Sequence, residues 1–100
     1  MTNDKAVRSV AEFFGVMSEP TRLRIVCELA RGERNVSQLI KAIKLPQATV
    51  SHHLSLLRAH RIVENERRGK EVFYTLSRMA EVDSKRVSFI IDDETVAFSY

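Results

Sequence analysis

The stretch that decides the fold is SQLIKAIKLPQATVSHHL, which runs from Ser37 to Leu54. Serine is a residue type that caps helices, and apolar residues at helical spacing follow Ser37, so a short helix is predicted over 38–43. Pro46 then stops that helix from running on. A second helix is predicted over 47–60, and its buried stripe consists of Val50, Leu54 and Leu57. Two helices joined by a tight turn form a helix-turn-helix.

Downstream of this motif, the pattern changes from helical to extended. Residues 61–77 carry β-forming residues on both sides of the tip Arg67-Arg68-Gly69-Lys70, which predicts a β-hairpin with a basic end. A helix-turn-helix followed by an exposed hairpin is typical of the winged helix-turn-helix. The tail, residues 78–100, is rich in β-branched and aromatic residues and predicts a second small hairpin turning at Asp92 to Glu94.

Upstream of the motif, two more helices are predicted. The first covers 4–17, and the second begins at Pro20 and ends at Gly32. The main apolar stripe of the first helix consists of Val7, Val10, Ala11, Phe14 and Met17. Phe13 and Val16 lie off that stripe, which leaves a second apolar face for another chain. The predicted fold class is mainly α with small β (α+β): one domain over 1–100, with four helices, the wing and a C-terminal β-hairpin.

The composition limits the class of protein. With 100 residues, 44% hydrophobic and 29% charged, the chain is typical of one soluble domain. It has no apolar run of about 20 residues and its N-terminus is polar, so we expect a cytoplasmic protein with neither signal peptide nor membrane partner. Cys27 is the single cysteine, which excludes an internal disulfide and a multi-cysteine zinc site within one chain. A small buried residue is the simplest interpretation of Cys27.

Positive charge is concentrated in the middle of the chain. The formal net charge is +3, but residues 34–80 carry nine Lys/Arg against three Glu, which suits a polyanion, although a solvated basic face is the alternative. Polar residues cluster where the second helix of the motif begins, the end that meets base edges and phosphates in such domains. The residues predicted to contact DNA there are Gln47, Ala48, Thr49, Ser51 and His52. On the wing, Arg67, Arg68 and Lys70 are predicted to touch phosphates or the minor groove.

Three segments together resemble the ArsR/SmtB family of bacterial repressors. They read MSEPTRLRIV at 17–26, QATVSHHLSLL at 47–57 and RGKEVFYTL at 68–76. The resemblance implies a dimeric winged-helix repressor that binds a palindromic operator in double-stranded DNA and is released by a signal. Lys44 stands where the turn in that family usually carries glycine.

The sensing sites of that family do not carry over. The soft-metal sensors of that family carry a cysteine pair in the helix that corresponds to residues 35–39, and this chain has no cysteine there. The zinc sensors use histidines in a C-terminal helix, and the tail of this chain has no histidine. The persulfide sensors of the family need a second cysteine. His52 and His53 point about 100° apart on a helix and cannot chelate one ion together; we expect His52 to face DNA and His53 to pack inward and bond backbone. No metal or cofactor is therefore predicted, and the effector is unidentified.

The dimer contact is predicted on the first helix, because the extended tail replaces the C-terminal dimer helix usual in the family. The predicted interface residues are Val7, Val10, Phe13, Phe14 and Val16. An enzyme is not expected, since the sequence has no glycine-rich phosphate loop, nucleophile elbow or metal triad. Two alternatives remain: a winged-helix protein-interaction module, and an antitoxin-like repressor whose acidic tail binds a partner protein.

Overall fold

The computed structural model describes residue 1 and residues 3–100. In this part of the chain, helices occupy the amino-terminal and central regions, with the bounds α1 Asp4–Met17, α2 Pro20–Ala30, α3 Val36–Ile43 and α4 Gln47–Ala59. The strands are β1 Arg34–Asn35, β2 Val63–Arg68, β3 Glu71–Leu76, β4 Ala80–Val82, β5 Arg86–Ile91 and β6 Glu94–Ser99. The predicted α+β class, with four helices, a wing and a C-terminal hairpin, is confirmed. No helix in the described ranges has the length and apolar character needed to cross a membrane.

The start of α3 differs from the prediction. Its N-cap is Asn35 rather than Ser37: the Asn35 side chain accepts a hydrogen bond from the backbone N–H of Gln38 at 2.8 Å, and the Gln38 side chain accepts one from the N–H of Asn35 at 2.9 Å. Such a capping box satisfies N–H groups at both ends of the first turn. Asn35 is extended because β1 pairs with β3, placing Asn35 opposite Phe73. The helix therefore begins two residues earlier than predicted.

The wing belongs to a three-stranded antiparallel sheet of order β1-β3-β2. Arg68 pairs with Glu71 around the two-residue turn Gly69-Lys70, and Gly69 has a φ of 62°. Positive φ at the first turn position alone is typical of a type II′ hairpin turn, which favours glycine there. The predicted hairpin with a basic tip is confirmed. Strand β1 was not predicted, because a strand of two residues is too short to show the alternation of apolar and polar residues.

The tail forms a second antiparallel sheet of order β4-β5-β6. The predicted hairpin is confirmed, with its turn at Asp92-Asp93 and with Glu94 already part of β6. Strand β4 was not predicted. One face of the sheet is buried against α1, and the rings of Phe13 and Phe89 lie 5.0 Å apart. The buried residues of β5 are Val87, Phe89 and Ile91.

This packing changes which side of α1 faces the core. The buried residues of α1 are Ala6, Val10, Phe13, Val16 and Met17. Phe13 and Val16 are therefore not a spare face, because both are buried within one chain, Phe13 against Phe89 of the tail sheet. Val7 and Phe14, which belong to the predicted main stripe and also to the predicted dimer interface, are 48% and 52% exposed, and Ala11 of the stripe is also exposed. The predicted stripe was wrong at these positions, because helical spacing alone could not show that a sheet would occupy the Phe13 side.

Candidate nucleic-acid interface

Helix α4 is held in place by its apolar stripe. Val50, Leu54 and Leu57 are fully buried, which confirms the predicted stripe and turns the opposite side of the helix outward. Among the predicted contact residues, Gln47, Ala48 and His52 are exposed, and Thr49 and Ser51 are half-buried. The structure thus places these five side chains at or near the surface around the first two turns of α4.

The amino end of α4 has no side-chain cap. Its N-cap is Pro46, and the first helical hydrogen bond runs from the N–H of Val50 to the Pro46 carbonyl at 3.1 Å. The preceding N–H groups point out of the helix end, where the partial positive charge of the helix favours anions. Lys44, exposed and left-handed with a φ of 62°, ends α3 at the position where the resembled family carries glycine. This end of α4 is suited to a phosphate or a base edge.

His53 fastens α4 to the junction between α1 and α2. Its Nδ1 lies 3.4 Å from Nη1 of Arg22 and 3.7 Å from a carboxylate oxygen of Glu19. Arg22 in turn donates from Nε to the Val16 carbonyl at 2.7 Å. The prediction that His53 packs inward is confirmed, but its partners are side chains rather than backbone. His52 is exposed, as predicted.

Glu19 is held ionised by its surroundings. Its carboxylate caps α2 by accepting the backbone N–H of Arg22 at 3.0 Å. Burial alone would raise the pKa of Glu19, but this hydrogen bond, the neighbouring His53 and the Arg22 charge hold it below its ordinary value. The anion at the start of α2 also suits the positive end of that helix. The cluster therefore stabilises the orientation of α4 relative to α2.

The three basic residues of the wing are not equivalent. All three are exposed, but Arg68 also donates two hydrogen bonds to Glu33, at 2.8 and 2.6 Å, and one to Glu66 at 2.9 Å. Its guanidinium also lies 4.5 Å from the centre of the Phe73 ring. The paired charges lower the pKa of Glu33 and raise that of Arg68. The charge of Arg68 is thus largely compensated within the chain.

A groove of about 270 Å³ separates the beginning of α4 from the wing. Gln47 and Ser51 line its α4 side, and Lys70 and Val72 line its wing side. Since Val72 is paired with Arg67, the Arg67 side chain projects from the same face of the hairpin, while Arg68 projects from the other. The structure thus gathers Gln47, Ser51 and Lys70 around one space.

Ser37 also lines this groove, together with Asn35 and Val36. Ser37, predicted only as a helix cap, is exposed and lies beside the predicted contacts. The signal that could have identified it is its position at the amino end of the first helix of the motif. Sequence spacing alone could not show that this end and the wing face the same groove.

The metal and thiol chemistry of the described residues is sparse. No group of three or more metal-binding side chains is found among residues 1 and 3–100. Cys27 is half-buried and burial raises the pKa of its thiol, so the thiolate form is disfavoured at neutral pH. It lies on α2, beside Leu23 of the same helix and Phe14 of α1, and away from the groove at α4.

Comparison with known proteins agrees with this geometry. The sequence model of the family described as bacterial regulatory protein, arsR family, matches residues 19–65, which run from the cap of α2 to the first half of the wing. A transcriptional repressor SmtB homolog from Synechocystis sp. is 42% identical over 77 residues, covering 77% of this chain and 58% of the relative. The transcriptional repressor PagR of Bacillus anthracis is 41% identical over 68 residues, covering 67% and 68%.

Among solved structures, the transcriptional repressor BigR from Xylella fastidiosa superimposes with a TM-score of 0.71 at 39% identity, covering 75% of this chain and 76% of that one. The chain spans 58% of the length of the SmtB homolog and 65% of the length of a curated biofilm growth-associated repressor. The tail sheet, by contrast, lies beyond the residues matched by the family model.

Proposed function

The chain belongs to the arsR family of bacterial regulatory proteins, and from this premise we propose that it is a sequence-specific DNA-binding repressor. It acts as a homodimer on a palindromic operator and is released by a signal. The observation that carries the proposal is the groove in which the uncapped amino end of α4 faces the basic tip of the wing. Relatives named as transcriptional repressors support the same function.

In this proposal α4 enters the major groove by its amino end. Gln47, Thr49, Ser51 and His52 contact base edges or phosphates, and the small Ala48 lets the backbone approach the DNA closely. Ser37, across the groove, offers a hydroxyl to a phosphate. A polar helix end of this kind disfavours the protein-interaction alternative, since protein-binding surfaces are enriched in large aromatic residues.

The wing supplies affinity through charge. Arg67 and Lys70 are exposed, so they reach phosphates directly. Arg68, predicted as a contact as well, is the weakest of the three candidates because Glu33 already holds its guanidinium. We assign it to fixing the wing rather than to binding DNA.

The protein is proposed to work in the cytoplasm as one domain, without catalytic activity, as befits a family of regulators. Two half-sites about 34 Å apart require two linked heads, so the repressor is a dimer. Of the five residues predicted for the interface, Val7 and Phe14 are exposed, while Val10, Phe13 and Val16 are buried within one chain. Val7 and Phe14 are therefore retained as interface residues.

Selection of bound DNA from random duplexes tests the proposal, and a palindromic sequence is the expected product. Repeating the selection with metal ions, peroxide or sulfide identifies the class of signal if one additive abolishes binding. Failure to enrich any sequence would contradict sequence-specific recognition.

The double variant Ser51→Ala, His52→Ala sharpens the test. We expect it to lose about 1–3 kcal/mol of discrimination between operator and random duplex for each good base contact removed. The matched control is His60→Ala, at the other end of α4, where Nδ1 lies 3.2 Å from Glu12. If the double variant weakens operator and random duplexes by the same factor, the two residues do not read bases.

A further inference from the structure

Strand β6 is the outer edge of the tail sheet, and one set of its backbone groups faces outward. The two-residue turn joins Ile91 and Glu94 as a hydrogen-bonded pair, so pairs alternate from there along the hairpin. Two observed hydrogen bonds fit this alternation. The Tyr100 N–H donates to the Lys85 carbonyl at 3.3 Å, as expected for a hydrogen-bonded pair. The Ile90 N–H donates to the Met79 carbonyl at 2.9 Å and so points away from β6, as expected for a pair without such bonds. The residues whose N–H and C=O point out of the open edge are therefore Thr95, Ala97 and Ser99.

This edge lacks the features that usually prevent strand pairing. The six residues of β6, ETVAFS, contain no lysine, arginine or proline, and its register with β5 runs without a bulge from Glu94 to Ser99. In the part of the chain that the structure describes, β6 pairs with β5 alone. The one charged residue of β6, Glu94, lies next to the turn, and long edges with so little charge are normally covered in native proteins.

We propose that the edge of β6 is covered by β6 of a second copy, antiparallel, so that the two tail sheets form one continuous six-stranded sheet. The inference rests on the homodimer of the proposed function and specifies how the two copies meet. A twofold axis at Ala97 places Ala97 opposite Ala97 of the second copy and Thr95 opposite Ser99 of the second copy. This symmetric register pairs every outward-facing backbone group of β6.

The exposed apolar residues of α1 fit the same arrangement. A twofold axis that relates antiparallel edge strands is perpendicular to the sheet, so both α1 helices lie on the same side of it. Val7 and Phe14 are seven residues apart on one face of α1, and antiparallel helices bring Val7 near Phe14 of the second copy. Phe14 lines the groove that borders β6, so this part of the exposed α1 face lies towards the open edge.

An apolar groove borders the edge and supports this occupant. It has a volume of about 580 Å³ and lies between α1, α2 and β6, lined among others by Phe14, Leu23, Val96 and Phe98. In the paired sheet, Val96 and Phe98 of the second copy lie on the same face of the sheet as Val96 and Phe98 of the first copy. They therefore close over this groove. One contact thus covers the strand edge and the exposed apolar residues together.

The charges at the two ends of β6 are complementary for antiparallel pairing. The turn end carries Asp92, Asp93 and Glu94, with the Met1 amine 3.6 Å from the Glu94 carboxylate. The opposite end lies beside Lys85 and Arg86, whose backbone N–H groups both donate to the carboxylate side chain there, Asp83. Asp92 is already hydrogen-bonded to the Ser9 hydroxyl at 2.5 Å, whereas Asp93, Lys85 and Arg86 are exposed. Antiparallel pairing brings the acidic end of one copy to the basic end of the other, and parallel pairing would not.

Hydrogen exchange of the full chain at increasing protein concentration tests the register. The amides of Thr95, Ala97 and Ser99 are expected to become protected as dimer forms, while those of Val96 and Phe98 are protected by β5 throughout. A dimer in which the three edge amides exchange freely at every concentration would overturn the edge pairing and leave the proposed DNA-binding dimer intact. A chain that stays monomeric at every concentration would overturn both, whereas operator selection tests DNA binding separately.

Charge substitutions at the axis provide the second test. Ala97 is exposed, so Ala97→Lys and Ala97→Glu are expected to fold, as circular dichroism checks, but each places like charges directly opposite across the axis. Sedimentation should show the dissociation constant of each homodimer raised about tenfold or more, and mixing the two variants should restore a heterodimer. The control Ser88→Lys puts the same charge on the same face one strand further from the axis. Equal dimerisation of Ala97→Lys and the control would refute the proposal.

Discussion

The wing and the tail contain two hairpins of nearly identical plan and different use. Each pairs two six-residue strands around a two-residue turn. Strand β2 buries Val63 alone and its tip is basic, whereas β5 buries every second residue and its tip is acidic. The comparison teaches that the alternation of apolar residues decides whether a hairpin projects as an arm or joins the core.

The turns differ in the same way. Gly69 alone has positive φ at the wing tip, whereas Asp92 and Asp93 both do, at 46° and 66°. Positive φ at both positions is the pattern of a type I′ turn, which aspartate tolerates better than most residues. The two hairpins therefore reach the same strand twist with different residues.

The largest effect is expected where the tail hairpin enters the core. Phe89 is fully buried and its ring lies 5.0 Å from Phe13 and 6.1 Å from Phe98. Phe89→Ala should lower the free energy of unfolding by about 3–5 kcal/mol in denaturant titrations. Its neighbour Ile90, 42% exposed, is the matched control, and Ile90→Ala should change stability by about 0.5 kcal/mol or less. Similar losses for both variants would show that the tail sheet does not belong to the core.

A smaller effect is expected in DNA binding by the wing. A plot of log affinity against log salt concentration has a negative slope. Arg67→Ala and Lys70→Ala should each make that slope less steep by about 0.9, because each removes one phosphate contact. Arg68→Ala should leave the slope nearly unchanged, since Glu33 and Glu66 already compensate that charge. Glu33→Gln is the converse test: it frees Arg68 and should steepen the slope. Equal slopes for the three alanine variants would contradict the distinction between Arg67 and Arg68.

The smallest effect is expected at the turns, with opposite signs. Gly69→Ala places a side chain at positive φ with no heavy atom within 4 Å of the new Cβ, so backbone strain alone should lower stability by about 1 kcal/mol. Asp93→Gly relieves the strain of a positive φ, but it also increases the conformational entropy of the unfolded chain, which offsets part of the gain. The net effect should be a rise in stability of about 0.5 kcal/mol. Thermal melting measures both. If Asp93→Gly lowers stability instead, the interactions of the Asp93 side chain stabilise the fold by more than the strain of its positive φ destabilises it.

Local patterns predicted the helices and both hairpins, because periodicity, Pro20, Pro46 and the tip residues act on the neighbouring backbone. They did not identify the buried face of α1. Phe13 and Phe14 are adjacent aromatics, and the choice between them depends on Phe89, which is distant in sequence. The same holds for the candidate site: the exposed end of α4 was predictable, but the pairing of Arg68 with Glu33 needs the fold to bring the two residues together.

Asn35 has a consequence for the thermodynamics of recognition. It caps α3, belongs to β1 beside Phe73, and donates from its side-chain amide to the Glu71 carboxylate of the wing at 3.1 Å. Asn35 thereby joins the first helix of the motif to the tip half of the wing, beside the Gly69-Lys70 turn. Ordering a loose arm on DNA would oppose association through lost conformational entropy, whereas an arm already fixed relative to α3 avoids that loss. Preorganisation of this kind favours slower dissociation over faster encounter.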